Sequence, residues 1–188
     1  DELKSSFLDL MTSKGNVTAL SAAASTLDVD RVEKLLEVGC SRTVSGGPKH
    51  WNPVHLAIPT HTDDSSFRQV EAERWQNFRK VVALLLDSAS EDELAELMLS
   101  TKSEHTPLMV AADRGADVET LLFMIEKLGP LASHCLSSRD SELNTLLHIL
   151  VTKTRVAETK ALLDHPYTPG ELGPHVENAK GATPLELV

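Results

Sequence analysis

A short motif recurs five times along the chain and limits the fold more strongly than any other feature of the sequence. The copies are VTALSAAA (17–24), WNPVHLAI (51–58), HTPLMVAA (105–112), NTLLHILV (144–151) and ATPLELV (182–188). One residue of each copy, which we call the cap position, falls at Thr18, Asn52, Thr106, Thr145 and Thr183, in steps of 34, 54, 39 and 38 residues. Leucine-rich stretches follow the first four copies at 31–39, 80–88, 120–129 and 158–165. This period predicts helical hairpins that stack, because one hairpin cannot bury both of its apolar faces.

The third copy shows the physical role of each residue. Thr106 can cap a helix by accepting a hydrogen bond from a free backbone N–H, and Pro107 suits the first helical position. Leu108 and the alanines after it form the packed stripe of a short helix. Gly115 permits the turn into the second helix of the hairpin.

The motif resembles the ankyrin repeat, whose signature is a period of about 33 residues with the sequence T-P-L-H-x-A. The resemblance covers nearly the whole chain and implies an all-α, ankyrin-repeat solenoid of stacked helix-turn-helix units with long finger loops. This array departs from the family pattern: Asn52 replaces threonine, Ala19 and Leu146 replace proline, and glycine is missing after the second and fourth copies.

We expect a single domain over 1–188, with an N-terminal cap helix at 1–14 and repeats at about 15–46, 47–100, 101–139 and 140–177. Residues 178–188 would start a further or capping repeat. Because the chain begins without methionine and stops within a repeat, we expect it to be part of a longer protein. The resemblance also implies that His55 and His148 tie turns together by hydrogen bonds.

The 54-residue step predicts one elongated, inserted helix from Ser66 to about Asp87. Ser66 and Gln69 match a capping box, and the apolar residues that follow have helical spacing. Trp75 lies in this insertion and has two interpretations, an exposed partner-binding residue or a cover over a neighbouring repeat. The cover is favoured, because an exposed tryptophan lowers solubility.

Three further segments lie between the hairpins. SEDELAELMLS (90–100) predicts a short helix capped by Ser90, with Leu94, Leu97 and Met98 facing inward. The segments 129–144 and 165–181 are rich in turn-forming residues and predict extended loops.

Charge and cysteine content restrict the partners. The formal net charge is −10, which argues against nucleic acid and anionic membranes and favours a protein or peptide of basic character. No apolar run reaches the roughly 20 residues that span a bilayer, and the charged first residues do not match a signal peptide. Cys40 and Cys135 are expected to be free thiols, so we predict an intracellular, cytoplasmic protein.

Motifs for catalysis or metal binding are missing from the sequence. It has no Gly-rich phosphate loop, no G-x-S-x-G and no H-E-x-x-H. Cys40, His50, His55 and His61 have spacings of 10, 5 and 6, which fit no common zinc site. We therefore expect no catalytic residues, no metal and no cofactor.

The leading hypothesis is a non-catalytic scaffold for protein–protein interaction. The resemblance implies a concave binding face made by finger tips and first helices. The candidate contact residues are Lys49, Trp51, Lys102, Ser103, His105, Asp113, Arg114, Asn144, Thr152 and Lys153, with Trp75 of the inserted helix. One alternative is a regulatory ankyrin region of a larger channel, enzyme or microbial effector that contacts its own neighbouring domains. The other is an unrecognised enzyme.

Overall fold

The computed structural model describes residues 17–46, 50–60, 68–99, 105–166 and 175–187. These residues are mostly helical and none of them forms a β-strand, so the all-α prediction is confirmed for this part of the chain. An isolated antiparallel bridge joins Gly46 and Trp51 at the base of a turn. The chain divides into two compact units, Asp1–Ser103 and Glu104–Val188.

Several predictions fall outside the described residues. They are the cap helix at 1–14, the capping box that begins at Ser66, the contact residues Lys49, Lys102 and Ser103, and residues 167–174 of the loop at 165–181. Residues 175–181 of that loop contain turns and no helix, as predicted.

The first unit contains two helical hairpins packed side by side. The first hairpin consists of α1 (Ala19–Ser25) and α2 (Val29–Glu37), and the second of α3 (Pro53–Ala57) and α4 (Arg68–Leu86). Helix α1 packs on α3 and α2 packs on α4, so first helices meet first helices and second helices meet second helices. Leu20 and Val54, which occupy the same motif position, are both fully buried.

The elongated helix is present as α4, and it corrects the assignment of Trp75 to the contact surface. Its 19 residues give a length of about 28 Å. Trp75 is only 4% exposed and meets the ring of Phe78 edge-on, with centroids 5.5 Å apart. The side chain is therefore part of the core, because apolar packing removes its indole from solvent, as the covering interpretation predicts.

The predicted short helix is also confirmed as α5 (Glu91–Met98). Ser90 accepts a hydrogen bond from the Glu93 N–H, and the Glu93 carboxylate accepts one from the Ser90 N–H. Leu97 and Met98 are fully buried, and α5 packs on α3.

The second unit repeats the paired-hairpin arrangement. Its first hairpin consists of α6 (Pro107–Asp113) and α7 (Val118–Leu128), followed by a 3₁₀ helix (Gly129–Leu131) and α8 (Ala132–Ser137). Its second hairpin consists of α9 (Leu146–Thr152) and α10 (Val156–Leu163), followed by a 3₁₀ helix (Pro184–Leu187). Helix α6 packs on α9, α7 packs on α10, and the last 3₁₀ helix packs on α9.

The prediction of an extended loop over 129–144 is wrong, because α8 lies within it. Turn-forming residues dominate this segment, but Ala132, Cys135 and Leu136 are spaced three and four residues apart and are all buried. Helix α8 packs on α7. Burial of this apolar stripe outweighs the local turn preference.

Four of the five cap positions perform the predicted role. In the third copy the Thr106 hydroxyl accepts a hydrogen bond from the Met109 N–H at 3.3 Å. Equivalent bonds join Thr18 to Ser21 N, Asn52 to His55 N and Thr183 to Glu186 N. The recurring motif is therefore a recurring helix start.

Two backbone positions, counted from the cap, adopt left-handed conformations wherever the structure describes them, whether or not glycine occupies them. Nine residues after the cap, φ is +56° at Leu27, +88° at Gly115 and +55° at Thr154. Two residues before the cap, φ is positive at His50, Leu143 and Gly181. A left-handed residue thus follows three first helices, although only Gly115 is a glycine, the residue that adopts this conformation without strain.

Thr154→Gly should stabilise the protein. The left-handed conformation costs a non-glycine residue about 1–2 kcal/mol, and the flexibility that glycine adds to the unfolded chain offsets about 0.4–1 kcal/mol of the relief. We expect a net gain of about 0.5–1 kcal/mol in the free energy of unfolding, measured by urea denaturation. Thr152→Gly, two residues earlier and helical, should instead lose stability. A loss for both variants would contradict the strain at Thr154.

Candidate functional site

The second unit carries two copies of one turn just before its helix starts. In the first copy the Asp140 N–H donates to the Asn144 carbonyl, and in the second the Asn178 N–H donates to the Ala182 carbonyl. The side-chain oxygen of the first residue accepts two backbone N–H groups in each case. For Asp140 they come from Glu142 and Asn144, and for Asn178 from Lys180 and Ala182. Asp140 and Asn178 each lie five residues before a cap position, and this spacing is the sequence signal for the turn. The sequence analysis did not use it.

The two turns bond directly to each other. The Asn178 amide donates to the Asn144 side-chain oxygen at 3.0 Å, and the Ala179 N–H donates to the Glu142 carbonyl at 2.8 Å. Lys180 and Glu142 form an ion pair at 3.5 Å, and His105 lies 3.7 Å from the Asp140 carboxylate. We call the residues 140–144 and 178–182 the turn row. Its backbone is fixed by bonds within each turn and between them.

The two motif histidines both make hydrogen bonds at a helix start, and His148 also reaches the next turn, as predicted. The Thr145 N–H donates to Nδ1 of His148, so that nitrogen carries no proton and Nε2 donates to the Ala182 carbonyl at 3.1 Å. In the first unit Nδ1 of His55 lies 2.9 Å from the Asn52 side-chain oxygen, and the Asn52 amide donates to the Leu97 carbonyl. Both histidines are buried, and His148 ties its helix start to a neighbouring segment, whereas in the first unit the Asn52 amide makes this link.

A second group of predicted contact residues lies at the opposite ends of the first helices. Lys153 and Asp113 form an ion pair at 2.9 Å between the carboxyl ends of α9 and α6. Arg114 follows Asp113 and is partly buried, and this burial lowers the pKa of its guanidinium, while the Asp113 charge acts in the opposite direction. The Thr152 hydroxyl donates to the His148 carbonyl.

The structure therefore brings most of the predicted contact residues of the second unit into two clusters. His105 and Asn144 belong to the turn row or touch it, and Asp113, Arg114, Thr152 and Lys153 form the group at the helix ends, which we call the helix-end cluster. In the first unit, the Trp51 ring is partly buried and stacks on His55, with centroids 6.0 Å apart and an angle of 11°. The stacking fixes the indole against a buried helix start.

Arg155 connects the two hairpins of the second unit, and sequence reasoning missed it. Its guanidinium donates to the Ala116 carbonyl at 2.7 Å and to Glu158 at 2.7 Å, and a longer bond of 3.3 Å reaches the Gly115 carbonyl. From the neighbouring hairpin, Arg155 thus provides hydrogen-bond donors for the two carbonyl groups of the turn that ends α6. The hydrogen bond from Arg155 is the largest cause that lowers the pKa of Glu158.

The environment of the Cys135 thiol favours a structural role over a nucleophilic one. Cys135 is buried and outside any disulfide, and its burial raises the pKa of the thiol to about 12, against a smaller opposing effect of a Thr106 hydrogen bond. A nucleophilic cysteine needs a lowered pKa.

Within the ranges that the structure describes, no group of three or more His, Cys, Asp or Glu residues is placed to hold a metal ion. No described helix is both long and apolar enough to cross a bilayer.

Comparison with known proteins adds no relative. No protein-family model matches the chain, and a search of curated proteins finds no match.

Glu158→Gln should destabilise the protein at neutral pH and much less in acid. The pKa of Glu158 is lowered in the folded state. Its contribution to the free energy of unfolding is therefore fully present above the unfolded-state pKa and is lost as the pH falls through the folded-state pKa. We expect a loss of about 1 kcal/mol at pH 7, a reduced figure because the pair is partly exposed to solvent. Urea unfolding at pH 7 and below about pH 4 measures the difference. Glu126→Gln, on an exposed part of α7, is the control, and a deficit for Glu158→Gln that does not shrink in acid would contradict the ion pair.

Cys135 should resist alkylation while the protein is folded. At pH 8, a rise in the thiol pKa from 9.0 to about 12 reduces the thiolate fraction about thousandfold, and burial also blocks the reagent. The rate of iodoacetamide labelling in a Cys40→Ala variant, folded and in denaturant, measures this protection. Equal labelling rates in the folded and the denatured protein would show that the Cys135 thiol is accessible and would contradict its burial.

Proposed function

We propose that the chain is a diverged ankyrin-type array and that it binds a protein partner through the turn row and the first helices without catalysing a reaction. The support for the array is the equivalence of its described parts: four helix starts have the same cap bond, the described left-handed positions fall at the same distances from the cap, and within each unit first helices pack on first and second helices on second. The single observation that carries the binding proposal is the bonding of one turn to the next in the second unit.

The turn row has the properties of a preorganised binding surface. Its backbone groups are already bonded, so a partner does not have to order a loop when it binds. Glu142 and Lys180 are exposed on it, and His105 lies beside it. Polar side chains on a fixed backbone supply specificity, since their positions do not change between the free and the bound state.

The helix-end cluster extends the same surface. Helices α6 and α9 begin beside the turns and end at Asp113 and Thr152, so the row and the cluster lie at opposite ends of adjacent helices. Asp113 and Lys153 are both about half-exposed. The Arg114 guanidinium, already partly desolvated, has less hydration to lose on binding than a fully exposed cation.

The partner should have a basic character, and the proposed location is the cytoplasm. The net charge of −10 attracts positively charged surfaces at long range. Cys40 and Cys135 are both buried and neither forms a disulfide, which suits a reducing compartment.

Arg114→Ala and Lys153→Ala should weaken partner binding at least fivefold, which corresponds to about 1 kcal/mol, because both cations belong to the helix-end cluster of the proposed surface. A partner recovered by affinity capture is titrated against both variants by calorimetry. Lys160→Ala is the control, because Lys160 lies on α10, a second helix of the same unit.

Two outcomes would contradict the proposal. One is an affinity that changes by less than about twofold in both variants. The other is a larger loss for the Lys160→Ala control than for Arg114→Ala, which would place the partner on the second helices. Both comparisons require that the variants unfold at the same urea concentration as the parent chain, so that a folding defect is not counted as a binding defect.

A further inference from the structure

An apolar groove lies along α10 on the side away from α7. The opposite side of the helix packs on α7 through Ala161 and Leu162. The groove has a volume of about 380 Å³, and its apolar lining comes from Val151, Val156, Leu163 and Leu187. Helix α10 is thus covered on one side and open on the other.

The groove and its edge hold most of the apolar surface that the described residues expose. Seven large apolar residues of this part of the chain are exposed, and four of them belong to the last hairpin and the 3₁₀ helix after it: Val156, Leu163, Leu185 and Leu187. Isolated apolar side chains on a surface are ordinary, but a cluster that lines a groove indicates a binding surface.

The charges in the groove show which kind of occupant fits it. Of the three charged lining residues, Arg155 is already paired with Glu158 at 2.7 Å and bonded to two backbone carbonyls. Lys160 and Asp164 remain, and no other described residue forms an ion pair with either of them. The groove therefore presents one positive and one negative charge, one helical turn apart, and has no excess charge with which to select a strongly basic or acidic partner.

This pair of charges is complementary to itself when two copies of α10 lie antiparallel. A two-fold axis that crosses the helices midway between Lys160 and Asp164 places each lysine opposite the aspartate of the other copy. Leu163 lies beside this axis, so the leucines of the two copies meet at the centre. Val156 lies about 9 Å from the axis and covers the carboxyl end of the other α10. Parallel helices would instead oppose lysine to lysine and aspartate to aspartate.

We propose that the groove is a dimer interface, in which two copies of this chain associate through antiparallel α10 helices. Leu163 packs about the two-fold axis, and on either side of it Lys160 of one copy pairs with Asp164 of the other. The inference concerns a second surface and does not rest on the proposed partner binding.

The dimer should be weak. Each copy contributes one short helix and the groove beside it, which is a small interface, and the net charge of −10 on each copy opposes association at long range. We expect a dissociation constant of about 10–100 μM, measured by sedimentation equilibrium of the chain at concentrations from about 5 to 500 μM.

A charge exchange between copies tests the pairing directly. Lys160→Asp opposes two carboxylates at each contact, and Asp164→Lys opposes two ammonium groups, so each variant alone should raise the dissociation constant at least tenfold. An equimolar mixture of the two variants should associate as tightly as the parent chain, within about threefold, because each supplies the charge that the other lacks.

Val156→Lys tests the apolar contact without the charge pair. It should raise the dissociation constant at least fivefold and leave the urea midpoint of unfolding unchanged, since Val156 is 77% exposed in the single chain. Val38→Lys, at an exposed valine of the first unit, is the matched control and should leave the dimer intact.

Three outcomes would overturn the proposal. They are a parent chain that stays monomeric at every concentration, a mixture that associates no better than its two components, and a dimer that Val156→Lys leaves unchanged. None of these measurements involves Arg114 or Lys153. Partner binding is titrated below the dissociation constant of the dimer, where Lys160→Ala remains a valid control, so the failure of either proposal leaves the other intact.

Discussion

A two-helix hairpin has more apolar surface than it can bury alone, and this constraint governs the structure of each unit. In the second unit α6 and α7 each need a neighbour, which α9 and α10 provide. The caps make this packing reproducible, because each fixes where a first helix begins and therefore which side chains face the next hairpin. Arg155 then bonds the turn of one hairpin from the other, so the contact is polar as well as apolar.

The proposed binding surface follows from the same constraint. Hairpins that pack first helix on first helix also place their preceding turns side by side, and Asn144 and Asn178 then come within hydrogen-bond distance. The stiffness of the turn row is thus a result of hairpin packing and needs no separate stabilisation. Residues with no role in the core, such as Glu142 and Lys180, are left exposed on a fixed backbone, where they are free to vary with the partner.

The sequence predicted those features that depend on local chemistry. Helix starts at Thr106 and Ser90 and the long helix α4 follow from residues within four positions of each other, whereas the roles of His55 and His148 were expected from the resemblance. Features that depend on tertiary packing were missed. Helix α8 forms because α7 covers its apolar stripe, and Leu27 and Thr154 adopt left-handed backbone because the paired helices require a reversal there. For the site, the candidate residues were found from the resemblance, whereas Asp140 and Asn178 became evident only when their turns were seen together.

The turn row and the apolar groove along α10 belong to different parts of the last hairpin. The row consists of turns beside the start of α9, whereas the groove follows α10 and includes Val151 at the far end of α9. The turn row is also anchored to α9 itself, because Ala182 accepts the hydrogen bond of His148 just before the Pro184 turn, and the 3₁₀ helix that follows packs on α9. The row therefore keeps its geometry through the helix beside it as well as through its own bonds.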